Sequence, residues 1–205
     1  MSAPQPAPQT RIQQKNRTAI LEAALDVFSA HGFRGATLDQ IATAAGLSKP
    51  NLLYYFTSKE AIHTALLSGL LETWLAPLKA MDPNGDPMAE ILAYVARKLQ
   101  MSRDYPRESR LFANEIVQGA PRIYRALSTD LKDLVDDKAG LIRIWGEQGK
   151  IAVVHPYHLL FSIWSLTQHY ADFDVQIRAV MGDEDPFKAA PEFIETVFRR
   201  LLSVT

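Results

Sequence analysis

Apolar side chains recur along this chain at intervals of three and four residues, with no sustained alternation between neighbours. That periodicity predicts helices throughout and no strand. From Arg11 to His31 one stripe holds Ile20, Ala24 and Val27 and the adjoining one Leu21, Leu25 and Phe28. Gly32 follows, where a helix commonly ends in a left-handed residue. Thr37 and Gln40 stand in capping-box spacing before a short stripe, Leu38, Ile41, Ala42 and Ala45, which Gly46 stops. Ser48 caps a third helix through Phe56, with Pro50 tolerated in its first turn and Leu52, Leu53 and Phe56 pointing inward. Thr57-Ser58-Lys59-Glu60 starts a long fourth helix over about 58–81. Further helices are predicted over 87–104, 106–119, 121–148, 156–181 and 187–203. Their breaks are Pro83-Asn84-Gly85-Asp86-Pro87, Tyr105-Pro106, Gly119-Ala120-Pro121, Gly149, His155-Pro156 and residues 182–186. Residues 1–10, with three prolines, read as a disordered tail.

The expected fold is therefore all-α, and 205 residues can bury a large core without metals or disulfides. The chain has no cysteine, which excludes disulfides, thiolate metal sites and a Cys nucleophile. No uncharged apolar run approaches the roughly 18 residues of a membrane span, and the first residues lack the basic start and apolar core of a secretory signal. A cytoplasmic protein is the expectation. Net charge is −1 overall, but residues 1–60 carry six basic and four acidic side chains, a net +2, against −3 for residues 61–205. A mildly basic N-terminal segment on an acidic body is the balance expected of a DNA reader with a separate second domain.

Thr37 to Lys59 carries the functional signal. Two short helices meet at Ala45-Gly46-Leu47-Ser48, a tight turn containing Gly, the form of a helix-turn-helix whose second helix enters the major groove. The polar face of that second helix offers Lys49, Asn51, Tyr54 and Tyr55. Lys donates to guanine O6/N7 and Asn pairs with adenine N6/N7. Tyr hydroxyls, Lys59, and Thr37 at a helix N-terminus suit phosphates. On spacing alone, a simple corner between two helices accounts equally well for this stretch.

The residues themselves say more. Phe28-x-x-x-Gly32-Phe33, followed by Thr37-Leu38-Asp39-Gln40-Ile41-Ala42 through Gly46-Leu47-Ser48-Lys49-Pro50-Asn51-Leu52-Leu53-Tyr54-Tyr55-Phe56 to Lys59-Glu60-Ala61, strongly resembles the signature of tetracycline-repressor-type (TetR family) regulators. The resemblance implies a helix-turn-helix DNA-binding domain, here residues 1–60, and a larger helical ligand-binding and dimerisation domain, residues 61–205. It also implies release of DNA on ligand binding, with the fourth helix as the lever between the domains. The family's DNA contacts carry over onto Thr37, Lys49, Asn51, Tyr54, Tyr55 and Lys59. Further along, Trp74-Leu75-Ala76-Pro77-Leu78-Lys79, Ser102-Arg103-Asp104-Tyr105-Pro106, Ser109-Arg110-Leu111-Phe112, Gln118-Gly119-Ala120-Pro121 and Ile163-Trp164-Ser165-Leu166-Thr167-Gln168-His169-Tyr170-Ala171-Asp172-Phe173 resemble the uracil- and thymine-responsive, pyrimidine-utilisation branch of that family. The likeness spans roughly residues 18–182 and departs at Pro50, at Arg97 to Met101 and after Gly182.

The expected ligand-binding residues are Trp74, Leu78, Phe112, Trp164 and Gln168. Trp164 and Gln168 are four apart, one helical turn, on one face, and a Gln in an apolar helix needs polar partners. An interhelical or dimer contact satisfies that Gln equally well at this stage. Homodimerisation is expected through the last two helices, with Leu159, Ile163, Leu166 and Tyr170 on one and Phe193, Val197 and Leu201 on the other. His155-Pro156-Tyr157-His158 lacks a third ligand at metal spacing, so neither a metal nor a cofactor is expected. His169 and Asp172 are spaced for a hydrogen-bonded pair, and Arg103, Arg107 and Arg110 are either scaffold or pocket cations. Two other readings stay open: a regulator of a more apolar effector, and a helical enzyme with a fortuitous corner, for which no paired carboxylates, nucleophile or phosphate loop stand in the chain.

Overall fold

The computed structural model describes residues 11–204, and the expected tail at 1–10 lies outside the described residues. Among the described residues there are helices and turns and no strand. The chain divides into two compact units, residues 1–67 and 68–205. The division falls at Leu67 and not at residue 60, because the first turns of the fourth helix bury Ile62, His63, Leu66 and Leu67.

The first unit is built from α1 (Arg11–Gly35), α2 (Leu38–Ala44), α3 (Lys49–Tyr55) and the start of α4 (Lys59–Lys79). The sequence stops α1 at His31; helical bonding runs on to Gly35 across a kink at Gly32, which has φ 67°. Thr37 caps α2 with its hydroxyl on the Gln40 N–H, and the Gln40 side chain returns to the Thr37 N–H, both arms of the capping box. At the other end Gly46, φ 67°, lets its own N–H reach Thr43 O and the Leu47 N–H reach Ala42 O. This is a Schellman closure that satisfies two orphan carbonyls and turns the chain tightly into α3. Ser48 caps α3, and Pro50 sits in its first turn, where a missing N–H costs nothing. Ile20, Phe28, Ile41, Leu52, Ile62 and Leu67 form the sealed core of this unit. The buried His63 ring meets Phe28 and Phe33 edge-on at 4.7 and 4.9 Å.

The second unit contains the rest of α4 and α5 (Pro87–Asp104), α6 (Pro106–Val117), α7 (Tyr124–Ala126), α8 (Lys132–Glu147), α9 (Pro156–Asp172), α10 (Asp174–Met181) and α11 (Ala190–Leu202). Where one helix over 121–148 is predicted, a π-helical turn at Leu127–Leu131 joins α7 to α8. Where one helix over 156–181 is predicted, the backbone leaves helical geometry at Phe173 (φ −115°, ψ 26°), separating α9 from α10. Leu78, Ile91, Tyr94, Val95, Ile142, Trp145, Leu160, Ile163, Ile194 and Phe198 are among the side chains of its core. No helix among the described residues is long and apolar enough to cross a membrane.

One of the two expected faces is placed differently. Leu159 and Ile163, expected at a dimer contact, are buried within the chain's own core, and Leu166 and Tyr170 pack against it. The turns of α9 put these residues on its inner side and leave Phe161 and Tyr157 exposed. On α11 the split is sharper: Ile194, Phe198 and Leu202 point in, while Phe193 and Leu201 are exposed as expected.

Candidate nucleic-acid interface and ligand cavity

The helix-turn-helix presents its expected residues with defined partners. Lys49 lies at the exposed start of α3, its ammonium paired with Asp39 at 2.9 Å. Asn51 is exposed, and its backbone N–H donates to the Ser48 hydroxyl, leaving the carboxamide directed to solvent. Tyr54 is 71% exposed and its hydroxyl accepts from Gln13 at 3.2 Å. The half-buried Tyr55 accepts from Asn16 at 2.9 Å and meets the Tyr54 ring edge-on at 5.2 Å. These α1-to-α3 bonds fix two hydroxyls on the outer face of the second helix. Thr37 is exposed at the N-terminus of α2. Lys59 is more constrained than its sequence reading: its ammonium donates to Phe33 O and Ala36 O, each at 2.7 Å, and lies 4.6 Å over the Phe33 ring. Two of its three N–H donors thereby satisfy carbonyls at and just beyond the end of α1.

The second unit carries a cavity of about 750 Å³ that is partly open to solvent, inside the range of about 300–1,000 Å³ in which small-molecule sites fall. Its walls are mostly apolar, from Leu71, Trp74 and Leu75 of α4, Phe112 and Ile116 of α6, Leu127 and Leu131 of the π turn, and Trp164 of α9. The π turn thus lies on the cavity wall, a frequent place for such bulges. Of the expected ligand residues, Trp74, Phe112, Trp164 and Gln168 line this space together. Leu78 does not. It is fully buried in the core one turn beyond Trp74, and Leu71 and Leu75 hold the positions on the wall expected of it.

Polar groups converge at one side of the cavity. Trp164 Nε1 donates to the Tyr94 hydroxyl at 2.7 Å. Burial pushes the Tyr94 phenol up to about 12, so it stays protonated. Asp172 accepts from the Ser109 hydroxyl at 2.6 Å; burial raises its carboxyl, opposed by that bond and by Lys98, Arg110 and His169. His169 itself stacks on Phe173 at 4.9 Å, so the expected His169–Asp172 pair is replaced by Ser109–Asp172. Arg110 lines the cavity and donates to Ala171 O, whereas Arg103 lies over the Phe187 ring, 5.9 Å away. Lys98, not singled out in the sequence, is 5% exposed on the same wall. Its signal is legible in retrospect: it interrupts the apolar stripe Ile91, Tyr94, Val95, Leu99 of α5, where an exposed face supplies no reason for a lysine.

Residues 20–66 match the family described as bacterial regulatory proteins, tetR family, and residues 67–205 match the YcdC-like protein C-terminal region. The chain belongs to the TetR family. Its similarity to the HTH-type transcriptional regulator RutR of Escherichia coli K12 is 49% identity over 192 residues, covering 92% of this chain and 91% of that one. The HTH-type transcriptional repressor NicS of Pseudomonas putida is 29% identical over 165 residues, covering 75% of this chain and 76% of its own. Among solved structures, a transcriptional regulator of Streptomyces coelicolor superposes with a TM-score of 0.75 at 22% identity, covering 93% and 99% of the two chains, which shows the shared fold. This TetR-family chain is a ligand-responsive DNA-binding regulator of transcription, and its relatives are regulators and not enzymes. Regulators of the family bind operator DNA, respond to small molecules and act as dimers.

Proposed function

We propose that this regulator represses its target genes and releases the operator when a pyrimidine such as uracil or thymine enters the cavity of the second unit. The observation that carries this reading is Gln168. Its carboxamide lines the cavity one turn from Trp164 and has no hydrogen-bond partner among the described residues. A uracil edge presents an N–H between two carbonyl oxygens, and a carboxamide, with one acceptor and two donors, matches adjacent positions on it. Trp74 and Trp164 supply flat apolar walls for the ring. Thr37, Lys49, Asn51, Tyr54, Tyr55 and Lys59 are the DNA contacts in this reading, Asn51 and Lys49 at base edges and the others on phosphates. Pairing of two chains through the outward faces of α9 and α11, with Phe161, Phe193 and Leu201, sets the two recognition helices on one operator. The protein acts in the cytoplasm, where its operator is.

A gel shift on the DNA upstream of the chain's own gene tests this. The complex is expected to dissociate with uracil and thymine and to persist with cytosine, whose amino group reverses the donor order. A complex indifferent to uracil at ~1 mM, the weak end of specific affinities, overturns the effector assignment. A larger apolar effector is favoured by one observation, a volume well beyond that of a single pyrimidine ring. Stabilisation by lipophilic ligands in a thermal-shift assay, without stabilisation by uracil, decides for it.

A further inference from the structure

The charged groups on the cavity wall do not balance. Lys98 of α5, Arg110 of α6 and Asp172 of α9 line it, two cations against one carboxylate, a net charge of +1 among mostly apolar neighbours. The three feel one another. Burial raises the Asp172 carboxyl, and the Ser109 hydroxyl and the fields of Lys98 and Arg110 oppose that rise. A protonated Asp172 leaves the wall more positive still. Their hydrogen bonds are unequal. Asp172 accepts from Ser109 at 2.6 Å, and Arg110 donates to Ala171 O at 3.2 Å. Lys98, 5% exposed, makes no hydrogen bond or ion pair among the described residues. Its ammonium has the face of the Trp74 ring, 5.3 Å to the ring centre, and the field of Asp172. Burial lowers it to about 8, so at pH 7 it is mostly charged. A buried ammonium without a hydrogen-bonded anion is destabilising, and apolar walls screen its field poorly. Gln168 on the same cavity also lacks a partner, but a carboxamide is neutral and does not discriminate by charge.

We propose that Lys98 binds a carboxylate group of the effector, so that the cavity selects ligands by charge as well as by shape. The inference rests on the cavity being the effector site, not on the effector being a pyrimidine. A carboxylate accepts from the ammonium in a charge-assisted hydrogen bond and brings the net charge of the wall to zero. A neutral ligand of the same shape leaves the wall at +1, and a cationic one is repelled. Uracil meets Gln168 without neutralising the wall, so a pyrimidine that carries a carboxylate should bind more tightly than uracil does.

Isothermal titration of the full chain at pH 7 tests this with a matched pair, benzoate and benzamide, close in shape and different in charge, and with uracil beside them. Benzoate is expected to bind roughly tenfold or more tighter than benzamide. In Lys98→Met the two are expected to bind alike, whereas in Gln168→Leu the preference for benzoate persists. Benzoate preferred over benzamide, with no binding of uracil at ~1 mM, supports the charged wall while the pyrimidine reading fails. Uracil bound, with benzoate no tighter than benzamide, overturns the charged wall while the pyrimidine reading stands. A preference for benzoate that survives in Lys98→Met, or no binding of benzoate at ~1 mM, also overturns it.

Discussion

Replacing Lys98 with Met should make the ligand-free protein more stable. Burial lowers the Lys98 ammonium from its ordinary 10.5 to about 8, opposed only by the field of Asp172. A tenfold change in proton affinity is worth about 1.4 kcal/mol, so holding the charged lysine in the folded state costs about 3 kcal/mol. The contact with the Trp74 ring returns part of this, roughly 0.5–2 kcal/mol, and Asp172 loses one of its three neighbouring cations. The net gain for Lys98→Met is then about 1–2 kcal/mol, or roughly 2–8 °C in Tm for a chain of this length. The pH dependence gives the sign independently. The folded-state pKa lies below the unfolded one, so the unfolded chain binds the extra proton between about 8 and 10.5. The penalty is complete below pH 8, shrinks as pH rises through that window and is gone above 10.5. Urea unfolding of wild type and variant at pH 7 and pH 10 measures it, the difference between the two proteins cancelling other titrations. A variant less stable than wild type at pH 7, or a gain that does not shrink at pH 10, refutes the reasoning.

Other substitutions separate scaffold from contact. Lys49→Ala breaks only an exposed ion pair and should change stability by less than about 1 kcal/mol. It should still weaken operator binding and relax preference at the base pair it reads. Lys59→Ala should weaken DNA binding and also lower stability by roughly 1–3 kcal/mol, because two carbonyls at the end of α1 lose a charged donor; equal unfolding midpoints for the two variants contradict the geometry. Asn51→Ala should alter preference among operator variants at unchanged salt slope, read by competition gel shift. Gln168→Leu should lower uracil affinity by a factor of roughly 5 to 150, from the 1–3 kcal/mol left by stranded polar groups, as isothermal titration would read. Phe193→Glu, at an exposed position on α11, should yield a folded monomer by light scattering with native circular dichroism; a dimer of unchanged affinity removes Phe193 from the interface.

The start and stop chemistry of the first unit was legible because it is local. Thr37 with Gln40, Gly46, and Ser48 with Pro50 each act within four residues of themselves, and each is found doing what its spacing predicts. The breaks missed in the second unit have no such residue. Phe173 leaves helical geometry without a Pro or Gly at the position, stacked on His169 one turn before it. The π turn at Leu127–Leu131 likewise stands in a segment with no breaker of its own. Packing decides both, and packing is not local.

The cavity divides along the same line. Trp164 and Gln168 are one turn apart, so their shared face follows from the helix alone, and both line the cavity. Leu78 obeys the same periodicity from Trp74 and yet is core, since periodicity gives the side of a helix and not how far along it a cavity extends. Lys98 was overlooked because a lysine is read by default as solvated. Its neighbours argued otherwise: Tyr94 and Ser102, four residues to either side, are buried, and so are Val95 and Leu99. A charge at the centre of an apolar stripe either reaches water along its stem or stays inside at a cost. Lys98 stays inside, its ammonium over the Trp74 ring. Near neutral pH that cost is present in every ligand-free molecule, offset in part by the Trp74 ring and the field of Asp172, and a ligand that offers Lys98 an acceptor would gain by relieving the remainder.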